Sequence, residues 1–125
     1  MDLSSIEHTG TTEITIYDPW GEPTDIVVEL YGRDTQEYRK AINQIARQQD
    51  GKSQQSDEEA DRRGAQVILA AVKSWRNVEY NGAEISPDSA DAVELLARSD
   101  MDWFASQIHR ALNNRALFFN KRETA

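Results

Sequence analysis

The sequence predicts an α+β fold, in which an N-terminal β-hairpin packs on about four α-helices. Two segments rich in β-branched and aromatic residues, EITIY (13–17) and DIVVELY (25–31), flank the turn-forming segment DPWGEPT. Later segments repeat apolar residues at helical spacing behind capping residues. The dipeptide Asn81-Gly82 favours a type I′ turn, which predicts a second, short β-hairpin around it.

The predicted N-terminal hairpin has one aliphatic face. Successive side chains on a strand point to opposite sides, so Ile14 and Ile16 share a side of the first strand. By the same alternation Ile26, Val28 and Leu30 share a side of the second strand. We expect helices to cover this face, because it would otherwise be exposed to water.

Two helices are predicted to follow the hairpin. Asp34 followed by Glu37 is typical of a capping box and predicts a helix over about 35–47. Ser56 followed by Glu59 predicts a second helix by the same pattern. The apolar residues of this second helix recur at helical spacing and form one predicted face: Val67, Ile68, Ala71, Val72 and Trp75.

Two further helices are predicted after the Asn81-Gly82 turn. Ser86 precedes Pro87, and a capping residue before a proline at the first helical position predicts a short helix. Ser99, with Asp102 three residues later, predicts the start of the last helix.

The chain is predicted to form a single domain over residues 1–125, since this length suits one hydrophobic core. Residues 48–57 have no apolar side chain to offset the entropy of ordering, so we expect a mobile loop there. Residues 1–11 and 121–125 are expected to be frayed.

Charge and composition exclude several classes of function. The chain has 22 acidic and 14 basic residues and a net charge of −8, which disfavours nucleic acid as a partner. It has no cysteine, so thiolate chemistry and disulfides are excluded. Its longest apolar run, Val67 to Val72, is far shorter than the roughly 20 residues of a membrane span, and MDLSSIEHTG has no signal-peptide pattern. We therefore expect a cytoplasmic protein without a membrane partner.

The sequence contains no recognisable catalytic or metal-binding motif. His8 and His109 are the only histidines, and they lack the ligand spacing of a zinc site. The acidic residues between Asp57 and Asp61 are explained by the dipole of the second helix. No G-x-S-x-G elbow or phosphate-binding glycine pattern is present. We expect a non-enzymatic protein with no catalytic residues, no metal and no cofactor, and a small hydrolase with an unrecognised site is the alternative.

The last helix carries more apolar residues than one face can hold. Its core face is predicted from residues that recur at steps of three and four: Met101, Phe104, Ile108, Ala111, Leu112 and Phe119. Trp103, Leu117 and Phe118 fall on a second face by their spacing. We expect this second face to bind a partner, with packing inside the chain as the alternative. A membrane-surface helix is disfavoured by Asp100, Asp102, Asn113 and Asn114.

Trp20 is a further candidate for partner binding. It lies in the polar segment DPWGEPT, far in sequence from the last helix. It can either fold back over the hairpin or face another chain.

The segment SWRNVEYNGAEISPDSADAVELLAR (74–98), followed by a terminal helix with aromatic residues and RALFFNK, resembles the tail assembly chaperone family of long-tailed bacteriophages. The resemblance covers about residues 13–121. It implies a chaperone that binds the tape-measure protein, keeps its apolar helices soluble and helps to recruit tail-tube subunits. It also implies self-association. A generic structural adaptor without chaperone activity is the alternative.

The same resemblance offers another explanation of the apolar tail. Members of the family have a longer form that is made by ribosomal frameshifting near the end of the short gene. Leu117-Phe118-Phe119 is compatible with the codons of a slippery site. Selection on the RNA is thus a competing explanation for residues that we otherwise assign to a partner surface.

Overall fold

The structure, a computed structural model, describes residues 1–48 and 56–121 and confirms the predicted α+β class. Four α-helices and seven short strands form it, together with three short 3₁₀ turns. The helices are α1 (Gln36–Arg47), α2 (Asp57–Ala70), α3 (Ala90–Leu96) and α4 (Asp102–Leu112). The strands are β1 (Ile6–His8), β2 (Thr11–Tyr17), β3 (Pro23–Tyr31), β4 (Val72–Arg76), β5 (Glu79–Tyr80), β6 (Ala83–Glu84) and β7 (Phe119–Lys121).

The central element is an antiparallel sheet with the strand order β2-β3-β4. The predicted N-terminal hairpin forms its first two strands, with Ile14 opposite Val28. Ile16, Val28 and Leu30 are fully buried, and Ile14 and Ile26 pack at the edge of the same core. The predicted aliphatic face therefore forms one side of the hydrophobic core.

Strand β4 was not predicted, because its apolar residues imitate helical spacing. The sequence analysis places Val72 and Trp75 on the second helix, but α2 ends at Ala70 and both residues lie in the strand. The register between β3 and β4 skips Lys73, which marks a β-bulge. A bulge adds one residue to a strand, so two residues three apart can face the same side. Val72 and Trp75 both pack against the core in this way.

Helix α4 covers the sheet. Phe104 is 2% exposed and Ile108 is fully buried. The rings of Phe104 and Trp75 meet edge to face, with centroids 5.8 Å apart. The indole Nε1 of Trp75 donates a hydrogen bond to the carbonyl of Ile85 at 2.7 Å, so the polar end of this large side chain is paired.

The first two helices differ in how well their starts were predicted. Helix α1 is capped by Thr35, whose hydroxyl accepts from the Tyr38 N–H at 3.2 Å, and not by Asp34. Helix α2 is capped by Ser56 as predicted, and its hydroxyl accepts from the Glu59 N–H at 3.2 Å.

Helix α3 begins three residues later than predicted, and α4 begins two residues later. Helix α3 is capped by Ser89, which accepts from the Ala92 N–H, whereas the hydroxyl of Ser86 donates to Asp88. The predicted cap Ser99 instead opens a 3₁₀ turn, and α4 follows it without a side-chain cap. Several capping residues stand close together at each start, and local sequence does not choose between them.

The predicted second hairpin is confirmed. Strands β5 and β6 pair on either side of Asn81 and Gly82. The φ angles of these two residues are 53° and 78°, and both positions of a type I′ turn require positive φ.

The N-terminal segment differs from the predicted frayed end. Strand β1 pairs antiparallel with β7, with Ile6 opposite Lys121 and His8 opposite Phe119, and β2 begins at Thr11. The prediction for residues 1–11 is therefore wrong where these strands form. This pairing joins the two ends of the chain, which local sequence patterns do not reveal. Residues 49–55 of the predicted mobile loop and residues 122–125 of the predicted frayed end lie outside the described residues.

The junction of the terminal strands with the core is closely packed around Gly32. A Cβ atom at this buried position would lie 2.9 Å from His8 Nε2 and 3.1 Å from Phe118 Cδ1. The His8 ring also meets Phe119 edge to face, with centroids 4.8 Å apart. A larger residue here would have to displace side chains from both terminal segments.

We predict that Gly32→Ala lowers the free energy of unfolding by about 1–3 kcal/mol, because the added methyl group must displace His8 and Phe118. Urea unfolding followed by circular dichroism measures this change. The exposed ring of His8 can be removed separately, so the substitution should be less destabilising in a His8→Ala background. Equal losses in both backgrounds would contradict this packing argument.

Candidate partner-binding surface

Gln107 joins α4 to the end of β2. Its Oε1 accepts from the Tyr17 N–H at 2.8 Å, and its Nε2 donates to the Tyr17 carbonyl at 2.8 Å. The same Nε2 donates to the carbonyl of Trp103 at 2.7 Å. The side-chain amide thus pairs with Tyr17 as a neighbouring strand would. This Gln107 bridge holds the first turn of α4 beside the tip of the β2–β3 hairpin.

The hairpin tip holds Trp20 on an ordered turn. The carboxylate of Asp18 accepts from the N–H groups of Trp20 and Glu22 at 3.0 and 2.9 Å. The Asp18 N–H in turn donates to the Glu22 carbonyl at 2.8 Å. Gly21 provides the positive φ angle, 84°, that this turn needs. Trp20 is nevertheless 83% exposed, so a large aromatic side chain stands in water on a fixed backbone.

Trp103 lies at the same end of the molecule as Trp20. It is half-buried and packs edge to face on Phe104, with ring centroids 5.9 Å apart. The Gln107 bridge ties its backbone to Tyr17, which is 48% exposed and only three residues before Trp20. We call Tyr17, Trp20 and Trp103 the aromatic end. The bridge therefore places the backbone of Trp103 beside the strand end that leads into the Trp20 turn.

Phe118 does not lie on an exposed second face of the last helix. Helix α4 ends at Leu112, and residues Arg115–Phe118 form a separate 3₁₀ turn, so the spacing argument fails after that point. Phe118 is 2% exposed within the chain. Its carbonyl accepts from the Thr9 N–H at 2.8 Å, which fixes the turn against the start of β2. Its predicted place on a partner surface is thus contradicted by its burial.

Leu117 is exposed but distant from the aromatic end. It is 39% exposed and lies beside Phe118, near the first residue of β2. Trp20 follows the last residue of that seven-residue strand. Seven strand residues span roughly 20 Å at about 3.3 Å each. The predicted set consequently divides between two ends of the sheet.

A groove that sequence reasoning missed lies between α2 and α4. It has a volume of about 680 Å³, and it is also lined by the last residue of α3, Leu96, and by residues 97–99 of the α3–α4 connection. We call it the α2–α4 groove and define it by its two walls, which are Ala60, Asp61, Gly64 and Ile68 from α2 and Asp102, Ala105, Ser106 and His109 from α4. The sequence signal for this groove is a pair of small residues four positions apart, Ala60 and Gly64, which lie on the same face of a helix.

Some charged residues at the edge of this groove form an ion pair within the chain, and others do not. Arg98 donates from Nε and Nη2 to the two carboxylate oxygens of Asp100, at 3.0 and 2.6 Å, and also donates to the hydroxyl of Tyr80. Hydrogen bonds from Arg98 lower the pKa of the Asp100 carboxyl below its ordinary value. Asp61 and Asp102 are exposed and form no ion pair within residues 1–48 and 56–121. The groove lining therefore carries two aspartates, Asp61 and Asp102, and two arginines, Arg63 and Arg98.

Other kinds of site receive no support from the geometry. In the part of the chain that the structure describes, no three His, Asp or Glu side chains converge to hold a metal ion. None of the described helices has the length and apolar composition needed to cross a membrane.

Comparison with family models, curated proteins and solved structures finds no match to this chain.

We predict that Gln107→Leu lowers the free energy of unfolding by about 2 kcal/mol, because it removes three hydrogen bonds of roughly 0.5–1.5 kcal/mol each while keeping a similar volume. Thermal and urea unfolding measure the change. Gln66→Leu on α2 is the matched control, since the side chain of Gln66 forms no hydrogen bond among the described residues. Equal stability changes in the two variants would contradict the role of the bridge.

Proposed function

We propose that this chain is a non-enzymatic tail assembly chaperone of a long-tailed bacteriophage and acts in the cytoplasm of the host cell. It binds the tape-measure protein, keeps it soluble and helps to recruit tail-tube subunits. The proposal is supported by the resemblance over residues 13–121, which is most specific in residues 74–98. Net acidity also suits this role, because a charge of −8 would keep a complex with an apolar partner dispersed.

The observation that carries the proposal is the exposure of Trp20. Trp20 is 83% exposed, so burial of its side chain adds little to the stability of this chain. The ordered turn fixes the backbone that carries it, which leaves the side chain accessible to another chain. Tryptophan and tyrosine are enriched among the residues that dominate binding energy at protein interfaces. A preformed turn also lowers the entropy lost on binding. The aromatic end therefore favours a protein partner.

A tape-measure protein is a chemically suitable partner for this surface. It is a long helical chain that exposes apolar residues before the tail tube surrounds it. Aromatic side chains on a rigid scaffold cover such residues without needing a defined pocket. In this proposal Trp20 and Trp103 make the principal contacts, and Leu117 contributes to a separate contact at the other end of β2.

The proposal includes self-association. Strand β4 has a sheet neighbour on one side only within the described residues, and an outer strand can pair with another chain. Size-exclusion chromatography with light scattering, over a range of concentrations, measures the mass of the assembly. A monomer at all concentrations would remove this part of the proposal.

We predict that Trp20→Ser abolishes solubilisation of the co-expressed tape-measure protein and weakens its binding at least tenfold. The change should leave the free energy of unfolding within about 0.5 kcal/mol of the original value, because the side chain is exposed. Pull-down yield and the soluble fraction after co-expression measure these effects. Leu3→Ser is the matched control, since Leu3 is 79% exposed but lies away from the aromatic end.

Two outcomes of the same experiment bear on the function. A tape-measure protein that remains insoluble beside the unaltered chain would contradict chaperone activity. A tape-measure protein that is bound without any gain in solubility would instead identify a structural adaptor.

A further inference from the structure

A second cavity lies where the two ends of the chain meet, on residues that neither the aromatic end nor the α2–α4 groove uses. It has a volume of about 260 Å³. Three nitrogen-bearing side chains from separate segments line it, which are His8 on β1, Arg33 in the β3–α1 connection and Arg115 in the 3₁₀ turn after α4. All three are exposed, so a solute can reach them from water. We call this the terminal-junction cavity.

The two arginines of the terminal-junction cavity are not paired with a carboxylate. Arg33 donates from Nη1 to Oδ1 of Asn113 at 2.7 Å, and this amide oxygen carries no net charge. Neither Arg33 nor Arg115 forms an ion pair among the described residues. Asp34 also lines the cavity, but its carboxylate is not within ion-pair distance of either guanidinium group. Two guanidinium groups therefore share this cavity without a bound counter-charge from the described chain.

Hydrogen bonds within the chain leave further donors available in this cavity. A guanidinium group has five N–H donors, and the bond to Asn113 uses one of those on Arg33. The Gly10 N–H donates to His8 Nδ1 at 3.1 Å. A neutral imidazole that accepts at Nδ1 carries its proton on Nε2, and this Nε2–H has no acceptor among the described residues. The lining therefore has an excess of donors over acceptors.

We infer that the terminal-junction cavity binds a phosphate group, which accepts hydrogen bonds from Arg33, Arg115 and the Nε2–H of His8. Guanidinium groups bind phosphate oxygens through paired, charge-assisted N–H···O bonds. A phosphate suits donors on three separate segments better than a carboxylate, because it has more acceptor oxygens. Inorganic phosphate and phosphate monoesters share this chemistry. The inference goes beyond the proposed function and does not depend on it.

The net charge of −8 does not prevent an anion from binding here. Exposed charges that lie more than about 10 Å apart are largely screened at 0.1 M salt. The charged groups of the cavity itself therefore decide binding, and these are Arg33, Arg115 and the opposing Asp34. Removal of the Asp34 carboxylate should consequently strengthen binding.

A bound phosphate would also stabilise the junction of the chain termini. It would join β1, the β3–α1 connection and the turn after α4, which are far apart in sequence. A ligand that binds only the folded chain raises its Tm as the ligand concentration increases. Thermal unfolding therefore provides a second measurement of binding.

The test is a titration of the full chain with sodium phosphate and, separately, with methyl phosphate, at constant ionic strength. Nuclear magnetic resonance should show saturable shifts of backbone amides in residues 8–10, 33–34 and 113–115, and the Tm should rise in parallel. Binding of both ligands would assign the site to phosphate monoesters as well as to the free ion. Binding of inorganic phosphate alone would assign it to the free ion.

Charge variants test which side chains hold the phosphate. Arg33→Gln and Arg115→Gln should each weaken binding by about fivefold or more, because each removes a charge-assisted contact. Asp34→Asn should strengthen binding severalfold. Arg39→Gln is the matched control, since Arg39 is exposed on α1 outside the cavity and its loss changes the net charge equally. Circular dichroism checks that each variant is folded.

Three results would overturn the inference. The first is the absence of saturable shifts at millimolar phosphate. The second is an equal loss of binding in Arg39→Gln and Arg115→Gln, or equal shifts with chloride, which would indicate an adventitious ion only. The third is saturation by acetate at a lower concentration than by phosphate, which would identify a carboxylate site instead.

Discussion

The fold depends on covering one aliphatic face of a three-stranded sheet. Ile16, Val28 and Leu30 lose all contact with water there, and each such side chain contributes about 1.5–3 kcal/mol when fully buried. Phe104 and Ile108 of α4 provide much of the cover, so the sheet determines where α4 lies. The Gln107 bridge then fixes α4 along its length, because its amide pairs with one residue at the very end of β2.

This arrangement decides which surfaces remain for a partner. Helix α4 uses its apolar face on the sheet, and Phe118 is enclosed by the junction of the chain termini. Of the surplus apolar residues predicted for the last helix, Phe118 therefore contributes nothing to an exposed surface. The surfaces that remain are the aromatic end, where Trp20 stands exposed on its turn, and the side of α4 that forms a groove with α2. The aromatic end presents the large side chain of Trp20, and the α2–α4 groove presents open space beside small residues.

Sequence reasoning succeeded where the determining interactions are local. The hairpin of β2 and β3, the Asn81-Gly82 turn and the Ser56 cap each depend on residues within a few positions of one another. It failed where a distant segment decides. Because of a β-bulge, the apolar residues of β4 are spaced as they would be on a helix. The N-terminal segment forms strand β1 because it pairs with β7. The groove was missed because it forms only where α2 and α4 lie side by side, which local sequence does not show. A glycine inside a capped helix, Gly64, was visible in the sequence.

We propose that another chain packs against the aromatic end. Hydrogen–deuterium exchange of the full chain, with and without the tape-measure protein, tests this claim most directly because it reports backbone protection along the whole sequence. We predict slower exchange in residues 17–22 of the complex, the segment that carries Trp20. Unchanged exchange in this segment, with protection confined to other parts of the chain, would contradict the proposal.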